Sequence, residues 1–423
     1  GKMMVEIAKT QDSEVGDGTT TVVIIAGGLL EKAEKLLNDE IHPSIIVKGY
    51  KLAAAKAKEI YEDMAEDITV NDKPALKQIA ITSMTGKSAD GADELAELVM
   101  KAITQVAVEE DKKIVIDLDD VKVEKKVGGS IMDSQLIDGI VLDKEIVHSG
   151  MPKAMENAKI ALVDAAMEIK SPETDTKVQI SDPDQLQAFL DQEELILRRM
   201  VETVKKAGAN VVVCQKGIDD IAQHYLAKEG ILAVRRAKKS DMDALAKATG
   251  AKVVSRINDL TAADLGKAKL VHEKKIAGDS MVFVEGCKNP KSVSLLVRGG
   301  SEHVVDEAER AVKDAIGAVA AAIRVGKIVY GGGSSEAEVA SKLRDYAKTV
   351  GGREQLAVEA FAEAMEIIPR TLAETAGMDP IDTLVALRSK HSSKDGKWIG
   401  VNVYTSKLDD MKKNKVTEPL KVK

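Results

Sequence analysis

The apolar residues change their spacing twice along this chain, and that order restricts the fold more than any other feature. From the start to about residue 110, and again after 300, they recur every three or four residues, the period of a helix with one buried face. Between about 140 and 290, short apolar runs alternate with helical stretches, the pattern of an α/β layer. Two helical ends around a different middle are joined most simply as one discontinuous helical domain. Its halves pack together, and the α/β domain is carried between them on a hinge region.

The elements follow from local pattern. Thr19–Leu37 places Val22, Val23, Ala26, Leu29, Leu30, Ala33, Leu36 and Leu37 on one helical face, and Pro43 opens a second helix running to Ile60. Residues 74–110 read as helical, ending in an acidic turn, and Lys113–Asp117 and Val121–Lys125 read as strands. Further strands are expected at Ile160–Val163, Val211–Cys214, Ile231–Val234 and Lys252–Val254, with helices at Asp219–Lys228 and Asp241–Thr249. Ser171–Ser181 is polar and turn-rich. Asp182-Pro183 then supplies a cap and a first-turn proline for a long helix bearing Leu186, Phe189, Leu190, Leu197, Met200, Val201 and Val204. That segment reads as an insertion standing out from the α/β body. Helices are expected at 302–324, 335–349, 354–367 and 379–389, before a strand-like tail.

Composition closes several routes. The 423 residues suit two or three domains, and aromatic residues make up only 2%, so the cores must be aliphatic and no base-stacking platform is available. Lys and Arg number 61 against 69 Asp and Glu, a net charge of −8 with no basic stripe, which argues against a nucleic-acid partner. Cys214 and Cys287 form no close pair, so a disulfide scaffold is not expected and a reducing compartment fits. No apolar run approaches the ~18 residues of a membrane-spanning helix. Gly1–Val5 has no signal-peptide layout, and Met3, Met4, Ile7 and Ala8 already keep helical spacing, so the chain is expected to begin inside a domain.

The sharpest local motif is Val15-Gly16-Asp17-Gly18-Thr19-Thr20-Thr21. Two glycines make a tight loop and the threonines start a helix, whose N-terminal N–H groups and dipole suit a phosphate. Asp17 offers a hard oxygen for Mg²⁺. The plainer reading, that Asp17 or Thr19 caps the helix, stands beside it. No GxxxxGK[ST] P-loop is present, and a phosphatase-type aspartyl nucleophile would fall on Val15, so neither chemistry applies. Gly331-Gly332-Gly333 again places glycines before a helix start, and the common meaning of such a run is a flexible joint. Asp314 lies mid-helix, and by pattern alone it reads as an exposed carboxylate paired with Arg310. The six His are scattered and match no zinc spacing.

Taken together, VGDGTTT at 15–21, GGSIMDSQLIDGIV at 128–141, DSMVFVEG at 279–286, EHVVDEAER at 302–310, the glycines 331–333, IIPRTL at 367–372 and GMDPIDTL at 377–384 resemble a group II chaperonin subunit of the archaeal thermosome type. The resemblance covers essentially the whole chain. It implies a multidomain α and α/β chaperonin fold: a discontinuous helical equatorial ATPase domain, an intermediate hinge domain, and an α/β apical domain with a helical protrusion. The segments it implies are 1–73 and 331–423 equatorial, 74–141 and 293–330 intermediate, and 142–292 apical, with the protrusion at about 169–197. It implies an ATP-dependent chaperone of the cytoplasm that encloses unfolded or partly folded client proteins. The subunits, identical or paralogous, would form two stacked rings of about eight each.

By position, the resemblance makes Asp17 the Mg²⁺ ligand and Gly16, Gly18, Thr19, Thr20 and Thr21 the phosphate-binding residues for ATP or ADP. It makes Asp314 the carboxylate that orients or activates the attacking water. Gly332, Asn402 and Glu418 fall at the ribose and base, Ser83 falls near the nucleotide, and Lys87 falls within reach of a γ-phosphate. The family pattern also carries equatorial pieces before Lys2 and after Lys423. Two departures lie inside the chain: Ser334-Ser335 replaces a commoner Ala-Pro, and Asn414-Lys415-Val416 a commoner Leu-Gly-Val. A protein-binding holdase that does not hydrolyse ATP is the competing reading, separated by Mg²⁺-dependent turnover. A metabolic enzyme on an α/β scaffold lacks a catalytic cluster to support it.

Overall fold

The structure, a computed structural model, describes residues 1–86, 91–110, 113–169, 183–287, 291–393 and 395–423. Chain contacts divide it into one unit of Gly1–Ile103, Glu109–Val115 and Arg310–Lys423, and another of Thr104–Val108 and Ile116–Glu309.

The first unit joins the two ends of the chain in one core. The helices Thr19–Asn38 and Pro43–Met64 come from the beginning, and Ser334–Ala347 and Glu354–Met365 come from the end. Ala53, Ala57, Ile60 and Met64 meet Val339, Leu343, Val358 and Met365 in an aliphatic core. The approach is close where small residues face each other: a Cβ on Gly49 would lie 2.4 Å from the Cβ of Ala357. Tyr50 packs edge-on against Phe361 and donates its hydroxyl to the Leu29 carbonyl at 2.8 Å. A small antiparallel sheet orders Glu66–Asp67, Lys327–Tyr330 and Thr417–Pro419, with Val329 opposite Glu418.

Two expectations in this unit need correcting. The helix expected over 74–110 is two helices, Lys73–Met84 and Ala92–Val106, followed by the short strand Val108–Glu110. Gly86 and Gly91, at φ of 83° and 80°, take left-handed conformations that a helix cannot hold. The helix expected over 354–367 ends at Met365, and a further helix, Ile367–Thr375, follows it. Pro369 sits in the first turn of that helix, where its missing N–H has no partner to lose.

The second unit is built on a seven-stranded mixed sheet. Its order is Gly139–Leu142, Asp279–Glu285, Gly266–Ile276, Ala154–Val163, Val211–Cys214 and Leu232–Val234, with Val253–Val254 beside Ala154–Val163. Strand alternation fills both faces. Ile160, Leu162, Val211 and Val213 pack on one side with Met242 and Leu245, and Ala161, Val163, Val212 and Cys214 on the other with Leu197, Val201 and Leu226. A second sheet sets Val293–Gly299 parallel to Val121–Val127 and antiparallel to Gln135–Ile137. Ser171–Ser181 and the side chain of Leu186 lie outside the described residues. The helix Pro183–Ala207 buries Leu197, Val201 and Val204, whereas Phe189, Leu190, Leu195 and Ile196 are exposed. Cys214 and Cys287 are free and buried. Among the described residues, no helix is long and apolar enough to cross a membrane.

Candidate functional site

The loop at 16–18 is shaped by its glycines. The helix Lys2–Val15 ends at Gly16, in the left-handed region at φ 74°, and its N–H bonds the Asp12 carbonyl at 2.8 Å. Gly18, at φ 77°, is the N-cap of the helix Thr19–Asn38, and no side chain caps that end. The capping reading for Asp17 or Thr19 therefore gives way: Asp17 turns its Oδ1 to the Gly18 N–H at 2.8 Å, outside the helix. Gln11 steadies the loop by donating to the Asp17 and Val422 carbonyls, both at 3.1 Å. Side chains larger than hydrogen would not fit. A Cβ on Gly16 would lie 3.0 Å from Gly317 Cα, and one on Gly18 would lie 2.7 Å from Val422 Cγ1.

Gly317 belongs to the helix Glu302–Val325, which also carries Asp314 three residues earlier, on the same side of the helix. The Asp314 carbonyl lies 3.6 Å from the Cβ position of Gly16, so the helix turn bearing Asp314 adjoins the loop bearing Asp17. Asp314 is half-buried, not the exposed carboxylate that pattern alone suggests.

A cavity of about 570 Å³ opens beyond the start of the helix Thr19–Asn38. Of the expected residues, Thr21, Gly332, Asn402 and Glu418 line it. Gly16, Asp17, Gly18, Thr19 and Thr20 lead up to Thr21 without forming the wall. Ser83 is buried on the helix Lys73–Met84, and among the described residues its hydroxyl has no hydrogen-bond partner. Its neighbour Thr82 lines the cavity and accepts the Thr417 N–H at 3.2 Å. Lys87 lies outside the described residues. Thr82, Tyr404, Met411 and Lys423 also line the cavity, and nothing in their local sequence marks them.

Gly332 and Gly333 line this cavity, and all three glycines are tightly packed, not a slack joint. A Cβ would lie 2.3 Å from Glu418 Oε1 at Gly331, 2.4 Å from Met411 Sδ at Gly332, and 2.8 Å from Pro369 Cβ at Gly333. Gly332 and Gly333 take φ of 64° and 72°. Gly331 donates to the Val416 carbonyl at 2.9 Å, and Gly332 accepts from Val401 at 2.8 Å. Asn402 Oδ1 takes the N–H groups of Tyr404 and Thr405 at 3.1 and 3.2 Å, which turns the chain at the cavity mouth. Burial raises the Glu418 pKa; the Lys423 ammonium beside it works the other way.

An uncapped helix start and backbone held open by glycines, beside a mostly apolar cavity that carries Thr21, Thr82, Asn402, Glu418 and Lys423 as its polar groups, fit a phosphorylated ligand. Among the described residues no three His, Cys, Asp or Glu side chains gather around a metal position. A lone loop carboxylate suits Mg²⁺ that arrives with its phosphates, because that ion keeps most of its shell as water and phosphate oxygen.

The chain is similar to known proteins along its length. A thermosome subunit of Methanopyrus kandleri is 61% identical over 100% of this chain and 77% of its own length. One of Pyrococcus horikoshii is 59% identical over the same shares. The solved open-state monomer of a group II chaperonin from Methanococcoides burtonii superposes with a TM-score of 0.72 at 46% identity, covering 96% of both chains. The TCP-1/cpn60 chaperonin family matches residues 1–423, and the chain belongs to that family.

Proposed function

We infer that this chain is a subunit of an ATP-hydrolysing chaperone of the group II type, which assembles with further copies or paralogues and folds non-native proteins. The observation that carries the residue-level reading is the cavity at the uncapped start of Thr19–Asn38, walled by Gly332, Asn402 and Glu418. ATP or ADP would lie there with its phosphates toward the N–H groups and hydroxyls of Thr19, Thr20 and Thr21, beside the backbone of Gly16 and Gly18. Gly332, Asn402 and Glu418 would meet ribose and base, with Ser83 near the nucleotide and Lys87 within reach of the γ-phosphate. Asp17 would hold Mg²⁺, which when bound neutralises the phosphate charge.

Asp314 would orient the attacking water and accept its proton. Phosphoryl transfer demands little more than position and charge. The adjacency of the Asp314 turn to the Asp17 loop supports that role. The finer expectations stay with this proposal: the five domain segments, two rings of about eight subunits, lid closure by a protrusion at about 169–197, and a cytoplasmic setting.

The test is Mg²⁺-dependent ATP hydrolysis by the native-size particle, with refolding of a denatured client, beside Asp314→Ala. Turnover that the variant loses supports the reading. Client capture without turnover would make the protein a holdase and overturn it.

A further inference from the structure

We propose that Glu336 is a positioning residue for the nucleotide: from full burial it anchors Lys423, which in turn holds the Glu418 carboxylate at the cavity wall. The proposal deepens the nucleotide reading and rests on it.

Glu336 is 0% exposed, and the Lys423 side chain 6%. Glu336 Oε1 accepts from Lys423 Nζ at 2.7 Å, and the same ammonium pairs with Glu418. Lys423 and Glu418 both line the cavity, whereas Glu336 stands behind them. A fully buried carboxylate is retained only with a charged or hydrogen-bonded partner. Glu336 has two supports besides Lys423. It is the third residue of the helix Ser334–Ala347, where the helix dipole favours negative charge. Its Oε2 also accepts the Ser335 hydroxyl at 3.1 Å.

Held in this way, Glu336 fixes the ammonium at one point. Lys423 is then shared between two carboxylates, and Glu418 is gripped without being fully neutralised. Burial raises the Tyr61 pKa well above its usual value, with the Glu336 charge adding to the rise, so the neighbouring phenol stays protonated.

The Ser335 hydroxyl holds the carboxylate oxygen of Glu336 that Lys423 does not take. Ser334 turns instead to the Tyr330 and Gly331 carbonyls, both at 2.9 Å, tightening the glycine turn under Glu418.

Loss of the anchor leaves Lys423 held by Glu418 alone, so the ammonium and the carboxylate paired with it shift together and Glu418 moves off the ribose and base. The network holds the ribose and base end of the ligand, whereas Asp314 serves the attacking water, so binding should weaken more than chemistry. In the assembled protein, Glu336→Gln should raise the ATP KM and the calorimetric Kd for ADP by about 5–10-fold, with kcat within about twofold. Glu418→Gln should do the same, and the double variant should be no weaker than either single one, because both act through one contact. A lowered melting temperature with wild-type KM and Kd in Glu336→Gln would overturn the proposal and leave Glu336 structural. Wild-type Kd in Glu418→Gln would overturn the nucleotide contact itself and the proposal with it. Should Glu336→Gln fail to fold, Ser335→Ala decides: a Kd raised about twofold supports the anchor, and an unchanged Kd overturns it.

Discussion

Gly16 and Gly317 meet backbone to backbone. A Cβ on Gly317 would lie 2.7 Å from the Val15 carbonyl oxygen and 2.8 Å from Gly16 Cα, and neither can swing aside as a side chain would. Absence of a side chain at both positions is what lets the helix Glu302–Val325 lie against the loop of Asp17. One helical turn earlier, that helix carries Asp314.

Gly317→Ala tests this contact. In an ordinary helix interior that change stabilises by roughly 0.5–1 kcal/mol. Here the added methyl must push loop and helix apart, and overpacking costs about 1–3 kcal/mol. Stability should therefore fall. ATP turnover should fall further than ADP affinity, because the turn bearing Asp314 is displaced while the cavity is not. A thermal melt beside steady-state kinetics checks both, and a stabilised, fully active variant would remove the contact from the mechanism.

Asp314 is half-buried beside the loop but forms no part of the cavity wall. Asp314→Ala should accordingly lower kcat by two or more orders of magnitude, roughly the scale of a lost general base. The Kd for ADP should stay within about threefold of wild type. Equal loss of both would show that Asp314 serves binding and not water activation. Calorimetry with ADP and a single-turnover assay with ATP separate the cases.

How much was legible depends on where each signal lives. The helix expected at Thr19–Leu37 is found at Thr19–Asn38, and the strand Val211–Cys214 is found as read, because apolar period is a local property. The hairpin of Gly266–Ile276 and Asp279–Glu285 was not anticipated. Its turn is Ala277-Gly278, with both residues at positive φ, and it lacks the Asn-Gly or Asp-Gly signal of such turns. The helix Ile367–Thr375 was hidden by Pro369, which reads as a stop until its place in the first turn is known. In the site, Gly16–Thr21 was readable because glycines before a helix start carry their own logic. Asn402, Glu418 and Asp314 reach the same neighbourhood through long-range packing, and resemblance alone pointed to them. Lys423 and Glu336 had neither signal: each is an ordinary charged residue until burial pairs them.

Acid should destabilise the first unit partly through Glu366. Burial alone would raise its pKa, but hydrogen bonds from Arg388 and Arg344 outweigh burial and hold it below the ordinary glutamate range. Arg388 Nε meets it at 2.8 Å and Arg344 Nη2 at 2.6 Å. Such a carboxyl takes up its proton less readily folded than unfolded. Its stabilisation is complete above the unfolded value of about 4.3 and is lost as pH falls through the lower folded value. Glu366→Gln should lower stability at pH 7 by about 1–2 kcal/mol, the arginines being partly exposed. The gap between variant and wild type should close below about pH 4. Denaturant unfolding at pH 7, 4 and 3 reads this directly, and a gap still undiminished at pH 3 would remove Glu366 from the acid transition.

Phe189 and Leu190 are 45% and 48% exposed on the helix Pro183–Ala207, whose later residues Leu197, Val201 and Val204 are buried. The helix thus changes character along its length. Its second half is anchored in the α/β core, and its first half holds apolar side chains that, among the described residues, stay about half exposed. Replacing both with serine removes apolar surface that the described fold does not bury, so the melting temperature and ATP turnover should stay at wild-type values. Capture of a denatured client, read as suppression of its light scattering at equal subunit concentration, should weaken if that surface meets unfolded protein. Unchanged capture would assign client contact to another surface. A fall in melting temperature would show that the two side chains are packed in the assembled protein instead of offered to a client.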